Sequence, residues 1–267
     1  MSNRLNPTLR DQFAASARPL YGGWVCSGSP VMAEIMAGCG LDWLLVDMEH
    51  GPNGLESVLT QLQVMSAYPV GLAVRVPSAD PVVIKQVLDI GAQNLIVPMV
   101  STPDQARDVA KAVRYPPDGI RGVGAPMARS ARWSRVNDYL AQASDHVSVI
   151  AQIETVEAVD NARGIAATDG IDAILVGPAD LAASFGLIGQ SSHPIVLEAV
   201  DKVFEAVRSA GKPVGVNSFD PAEAKRYAAA GASFVLVGAD VLLLARASEQ
   251  LAATFVSTDQ TLTQQYG

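Results

Sequence analysis

One local pattern recurs along the chain and limits its folding options more than any other feature. AGCGLDWLLVD (37–47), DIGAQNLIVP (89–98), TDGIDAILVG (168–177) and AAGASFVLVG (229–238) each run through a glycine, a short turn and a run of apolar residues. The glycine ends a helix by entering the left-handed conformation, and an apolar run of that length reads as a strand buried on both faces. Between such strands lie amphipathic segments, for example with apolar residues at 55, 58, 59, 62 and 65, a helical spacing. Asp80-Pro81 and Thr102-Pro103 supply a cap followed by proline in the first turn.

Taken in order, strands are expected over 21–27, 41–49, 70–77, 94–100, 147–154, 171–178, 212–219 and 232–240. Eight even strand–helix units predict an α/β protein with a single closed (β/α)8 TIM barrel. The rival is an open doubly wound sheet, but no GxGxxG follows the first strand. The expected organisation is a polar leader over 1–19, one barrel domain over 20–256 and a frayed tail over 257–267. An irregular insertion at roughly 116–145 separates the fourth helix from the fifth strand.

Hydrophobic residues make up 49% of the chain, enough for a large core, yet no apolar run is long enough to cross a bilayer. The start, MSNRLNPTLRDQFAAS, carries no secretory h-region, and Cys26 and Cys39 have neither zinc-ligand nor disulfide spacing. A cytoplasmic location is the expectation. The net charge of −8 argues against nucleic acid and anionic membrane as partners. The local exception is Arg121, Arg129, Arg132 and Arg135, read as a solvated or subunit-contact surface.

In such a barrel, polar residues at the strand C-termini share one mouth. Strand 2 brings Asp47, Glu49 and His50, and strand 3 brings Arg75. Strand 5 brings Gln152 and Glu154, strand 6 Gly177-Pro178-Ala179-Asp180, strand 7 Asn217 and Ser218, and strand 8 Asp240. Glu154 and Asp180 stand 26 residues apart, about one strand–helix unit. They are either caps of the segments that follow or a carboxylate pair for a hard divalent ion, Mg²⁺ or Mn²⁺. Arg75, in an otherwise apolar strand, is either half of an ion pair with Glu49 or Asp47 or a clamp for an oxyanion. His50, three residues after Asp47, is a candidate base with a carboxylate to orient it. The backbone of Gly177-Pro178-Ala179 offers a turn for a carboxylate. No lysine falls at the mouth to form a Schiff base. A metal ion, one Arg and one His without such a lysine point to enolate chemistry beside a carbonyl.

LLVDMEHGPN, AVRV, IKQVLDIGAQNLIVPMV, RYPPDGIRGVG, AQIET, VGPADL and VGAD together resemble the HpcH/HpaI class II aldolases over about residues 20–255. The resemblance implies a phosphoenolpyruvate/pyruvate-type barrel and a lyase that joins pyruvate, or an analogue such as hydroxypyruvate, to an aldehyde. It implies a divalent ion (Mg²⁺, Mn²⁺ or Co²⁺) on Glu154 and Asp180, Arg75 on the enolate oxygen and His50 as proton carrier. Gln152 and the backbone at Ala179 would hold the 2-oxo acid, with Trp24, Gly177, Pro178 and Asn217 around it. Asp47 would support His50. Asp89 would make His50 more basic, although the residues place Asp89 in the last turn of helix 3, at the far end of its own barrel. It then serves a neighbouring subunit, or the register differs. The resemblance also implies a homohexamer built from dimers that exchange the last helix. Asn217 departs from the aliphatic residue expected there, which suggests a hydrogen bond to a hydroxylated substrate. The competing readings are a citrate-lyase-β-like C–C lyase acting on CoA thioesters, a phosphosugar isomerase or epimerase barrel, and a barrel that only binds a small acid.

Overall fold

The structure, a computed structural model, describes residues 5–256. Eight parallel strands close into a barrel in sequence order. They are β1 (Leu20–Val25), β2 (Trp43–Asp47), β3 (Gly71–Arg75), β4 (Asn94–Val97), β5 (Ser148–Ile153), β6 (Ala173–Val176), β7 (Val214–Asn217) and β8 (Phe234–Ala239). The expected barrel is therefore present, with strands a few residues shorter than the apolar runs. The expected tail over 257–267 lies outside the described residues.

Asp80 and Thr102 cap helices as expected, and three further caps join them. Ser29, Asp80, Thr102, Thr155 and Asp220 each accept a hydrogen bond from a first-turn N–H of α2 (Pro30–Ala37), α4 (Pro81–Asp89), α5 (Pro103–Val113), α7 (Val156–Ala166) and α10 (Pro221–Ala229). The insertion holds three 3-10 turns and the short α6 (Tyr139–Gln142). The turn expected after β6 is instead the start of a helix, α8 (Pro178–Ser184), before α9 (Pro194–Ser209).

Alternate strand residues face inward, as the two-residue period of a strand requires. The barrel interior holds Leu20, Trp43, Leu45, Ala73, Ile96, Ile150, Leu175, Phe234 and Leu236. A second, larger cluster lies between strands and helices. Two inward glycines make room for the large rings. A Cβ on Gly22 would lie on the Trp43 indole, and one on Gly215 on the Phe234 ring. Small residues inside a strand often mark such close packing.

The first 19 residues are not simply a polar leader. α1 (Leu9–Ala15), closed at its start by a Thr8–Asp11 capping box, plugs the barrel floor. Phe13 stacks on Phe234 at 4.5 Å, and Leu9 is fully buried. Asn94 Oδ1 accepts the Leu9 N–H at 2.7 Å, which docks the plug on β4. The amphipathic pattern here is one turn too short to detect in a polar context.

At the other terminus, α11 (Asp240–Phe255) buries only Asp240 of its sixteen residues. Leu243, Leu244, Leu251 and Phe255 stay exposed. Asp240 itself accepts the backbone N–H groups of Cys26 and Ser27, so it ties β8 to the end of β1.

Candidate active site

The inward parity that fills the floor carries polar groups to the mouth. Asp47 follows Trp43 and Leu45, Arg75 follows Ala73, Gln152 follows Ile150, and Asn217 follows Gly215. Asp47 and Arg75 are register partners across β2 and β3. A cleft of about 340 Å³ at this end is lined by Trp24, Asp47, His50, Arg75, Gln152, Gly177, Asp180 and Asn217 among others.

Arg75 is its most tightly held member. It is 5% exposed. Its Nε and Nη2 donate to the two oxygens of Asp47 at 2.9 and 2.8 Å, a bidentate pair. Its Nη1 stands 2.9 Å from Glu49 Oε2, an ion pair without hydrogen-bond alignment. Its guanidinium lies over the Trp24 ring, 4.3 Å from the centroid. Burial pushes the Glu49 carboxyl above its ordinary value, against the lowering effect of Arg75.

This changes one expectation. Asp47 does not serve His50: both its oxygens are taken by Arg75, and Oδ1 also accepts the Glu49 N–H. A guanidinium directly across on the neighbouring strand captures a carboxylate more strongly than a ring on the bend beyond β2. His50 is exposed at the rim, and no hydrogen bond to its ring occurs among the described residues.

Glu154 lies just past β5 and is 3% exposed. Its Oε1 accepts the Met99 N–H at 2.6 Å, and its Oε2 accepts from Gln152 Nε2. Met99 has φ 57, the left-handed region, which turns its N–H inward. No residue pattern announces this contact, since left-handed methionine has no sequence signature. Burial raises the Glu154 carboxyl above its usual range, and the charges of Asp180 and Glu49 add to this. Asp180, in the first turn of α8, is exposed to the cleft. A Cβ on Gly177 would come within 3.1 Å of Glu154 Oε2 and 3.2 Å of Gln152 Nε2, so the glycine keeps this cradle open.

Among the described residues no group of three or more His, Cys, Asp and Glu could hold a metal. The donors that do converge are oxygens: Glu154, Asp180 and the buried Gln152 Oε1, which has no hydrogen-bond partner. Asp47 and Asp180 line the cleft with Arg75 as its single guanidinium, and Glu49 and Glu154 lie close enough for the charge of Asp180 to act on both. That excess of negative charge, and an orphaned amide oxygen, fit a hard cation that keeps open positions.

Asn217 spends its Oδ1 on the Trp24 Nε1–H at 2.7 Å. Asp89 is at the other end of the barrel, the last residue of α4, where Oδ1 accepts from Arg121 Nη2 at 2.8 Å. The register reading was therefore right, and this chain does not bring Asp89 to its own His50. Arg121 is not solvated as expected: it is 1% exposed and stacks on Tyr115. Phe219, Val241 and Leu242 also line the mouth; their positions just past β7 and β8 were the only available signal.

Comparison with known proteins gives a consistent assignment. The model of the HpcH/HpaI aldolase/citrate lyase family matches residues 20–247. A 4-hydroxy-2-oxo-heptane-1,7-dioate aldolase of Salmonella arizonae is 50% identical over 240 residues, which covers 90% of this chain and 91% of that protein. An HpcH/HpaI aldolase/citrate lyase family protein from Burkholderia cenocepacia J2315 superposes with a TM-score of 0.90 at 41% identity, covering 94% of this chain and 100% of the other. An HpcH/HpaI aldolase from Desulfitobacterium hafniense DCB-2 superposes with a TM-score of 0.86 at 29% identity, covering 96% and 100%. The chain belongs to the HpcH/HpaI aldolase/citrate lyase family and is an enzyme of the lyase class.

Proposed function

We propose that this protein is a metal-dependent class II aldolase that forms and cleaves the C3–C4 bond of 4-hydroxy-2-oxo acids. The nucleophile is pyruvate or a close analogue such as hydroxypyruvate, and the acceptor is an aldehyde. The observation that carries the reading is a cleft lined by Arg75, which Asp47 and Glu49 hold, and by Asp180, beside which lies the buried Glu154 carboxylate. No lysine lines that cleft among the described residues, so the Schiff-base route has no amine there.

Glu154 and Asp180 would hold Mg²⁺ or Mn²⁺, with Co²⁺ as a substitute. When bound, such an ion supplies Lewis-acid polarisation of the 2-oxo group. The chain's own residues do the rest. The Arg75 N–H groups not used by Asp47 donate to the oxygen on which negative charge develops. In cleavage the C4 hydroxyl gives its proton to His50, at the rim, the C3–C4 pair moves to form the enolate, and the aldehyde leaves. The protonated His50 then delivers that proton to C3 of the enolate. Gln152 and the backbone from Gly177 through Pro178 to Ala179 hold the carboxylate end of the 2-oxo acid.

The reading as a C–C lyase of CoA thioesters is less well supported. It wants cations beside the mouth, whereas Arg121 is buried against Asp89 at the opposite end. A phosphosugar barrel wants free N–H groups after β8, and Asp240 already occupies that corner. The exposed leucines of α11 support an obligate assembly, a hexamer of helix-exchanging dimers, in which Asp89 reaches a neighbour's His50. No described helix is long and apolar enough to cross a membrane. With two free cysteines, the cytoplasm is the proposed location.

The test is a coupled pyruvate-release assay on a panel of 2-oxo-4-hydroxy acids. Activity should vanish on exhaustive chelation and return with Mg²⁺, Mn²⁺ or Co²⁺. Full activity after chelation would exclude the mechanism, and a fully active monomer in sedimentation would exclude the assembly.

A further inference from the structure

We infer that Asn217 and Trp24 form a clamp that sets the plane of Arg75, so that Asn217 acts through the indole rather than on the substrate. The inference rests on the proposed enolate chemistry only for its kinetic readout.

The geometry is a relay across three strands. Asn217 ends β7 and Trp24 lies on β1, with β8 between them. Opposite Trp24, β8 presents only Ala239, and the β1–β8 register shifts between Gly22 and Trp24. That shift and the small residues let the indole lean over β8 to Asn217. The Asn217 Oδ1 accepts the Trp24 Nε1–H at 2.7 Å. The indole has one donor and no acceptor, so this single bond satisfies it and fixes the ring. The Arg75 Cζ then lies 4.3 Å from the ring centroid.

The edge of Arg75 is already fixed by Asp47 through Nε and Nη2. Two bonds along one edge, with beyond it only the unaligned ion pair from Nη1 to Glu49, leave one soft motion, a tilt of the plane about that edge. A ring face packed against the guanidinium removes the tilt. Oxyanion stabilisation needs donors aimed at the developing charge, so the tilt decides how much Arg75 contributes. An aliphatic residue at 217 has no acceptor, and the indole would be free to turn. This differs from the expected role of Asn217, a hydrogen bond to a hydroxylated substrate.

The test combines a substitution cycle with a spectrum that does not depend on turnover. Asn217→Leu should lower kcat for pyruvate release about ten-fold, the worth of one buried hydrogen bond, with KM little changed. In the Trp24→Phe protein, which has no N–H to hold, adding Asn217→Leu should change kcat by under about two-fold. In ¹H–¹⁵N spectra the indole signal missing from Trp24→Phe identifies Trp24. It should shift upfield and exchange faster in Asn217→Leu, and stay in place in Asn217→Asp, which keeps an acceptor oxygen. An equal kinetic loss in both backgrounds means that Asn217 touches the substrate and overturns the clamp. So does an indole signal that ignores Asn217→Leu. If the wild-type protein releases no pyruvate, the aldolase reading fails while the spectrum still decides the clamp.

Discussion

Replacing Asp47 by asparagine removes the main partner of a buried cation and tests the centre of this site. Asp47 is 1% exposed, Arg75 is 5% exposed, and two bonds of 2.8 and 2.9 Å join them. Asparagine offers one acceptor oxygen and turns an NH₂ donor toward another donor. Removing one partner of a buried pair costs about 3–5 kcal/mol. Glu49 and the Trp24 face remain, so the cost should fall at the low end, about 3 kcal/mol. In a domain of this size each kcal/mol moves the melting point by about 2–4 °C, so Asp47→Asn should melt about 6–12 °C lower. The assay is calorimetry on chelated protein at fixed concentration, which keeps metal and assembly constant. Adding Arg75→Met removes the orphaned charge and should recover most of the loss. A variant that melts within about 2 °C of wild type, or a double variant less stable than the single one, would refute the pairing as the structural anchor of Arg75.

Three further outcomes follow from the geometry. Phe13→Ala empties the stack on Phe234 in the barrel floor and should cost about 3–5 kcal/mol, read as a lower melting point with the mouth chemistry intact. Gly177→Ala crowds Glu154 Oε2 and Gln152 Nε2 and should weaken Mn²⁺ binding about ten-fold in titration calorimetry, with little change in melting point. Burial lifts the Glu154 carboxyl above its ordinary value of 4.5. A raised folded value gives stability that is fully present below the unfolded value and is lost as pH rises through the folded one. The chelated protein should therefore lose Glu154's contribution as pH climbs above 4.5. Mn²⁺, which needs the ionised carboxylate, should bind more weakly at about pH 5 than at about pH 8, with proton release that depends on pH.

Much of the mouth was legible because strand parity is a local property. Once Trp43, Leu45 and Asp47 are seen to alternate, Asp47 must face inward, and the same holds for Arg75 and Gln152. What parity does not carry is partner choice. Asp47 lies three residues from His50 and 28 from Arg75, and proximity in sequence favoured the wrong one. The bond from Asn217 to Trp24 spans 193 residues. The Met99 N–H reaches Glu154 only because a methionine takes a left-handed turn.

The sequence by itself determined the closed barrel, the order of its strands, the starts of the helices capped by Asp80 and Thr102, and the face on which the acids, Arg75 and His50 gather. Each of these follows from short-range rules: alternation along a strand, a cap before a helix, a glycine after one. The tertiary structure alone decided that Asp47 belongs to Arg75, that Asn217 belongs to Trp24, that Asp89 is held by Arg121, and that α1 fills the floor. Those choices depend on how strands shift past one another when the barrel closes and on which charges desolvation forces together. Both are properties of the whole packed chain and of no local stretch of it.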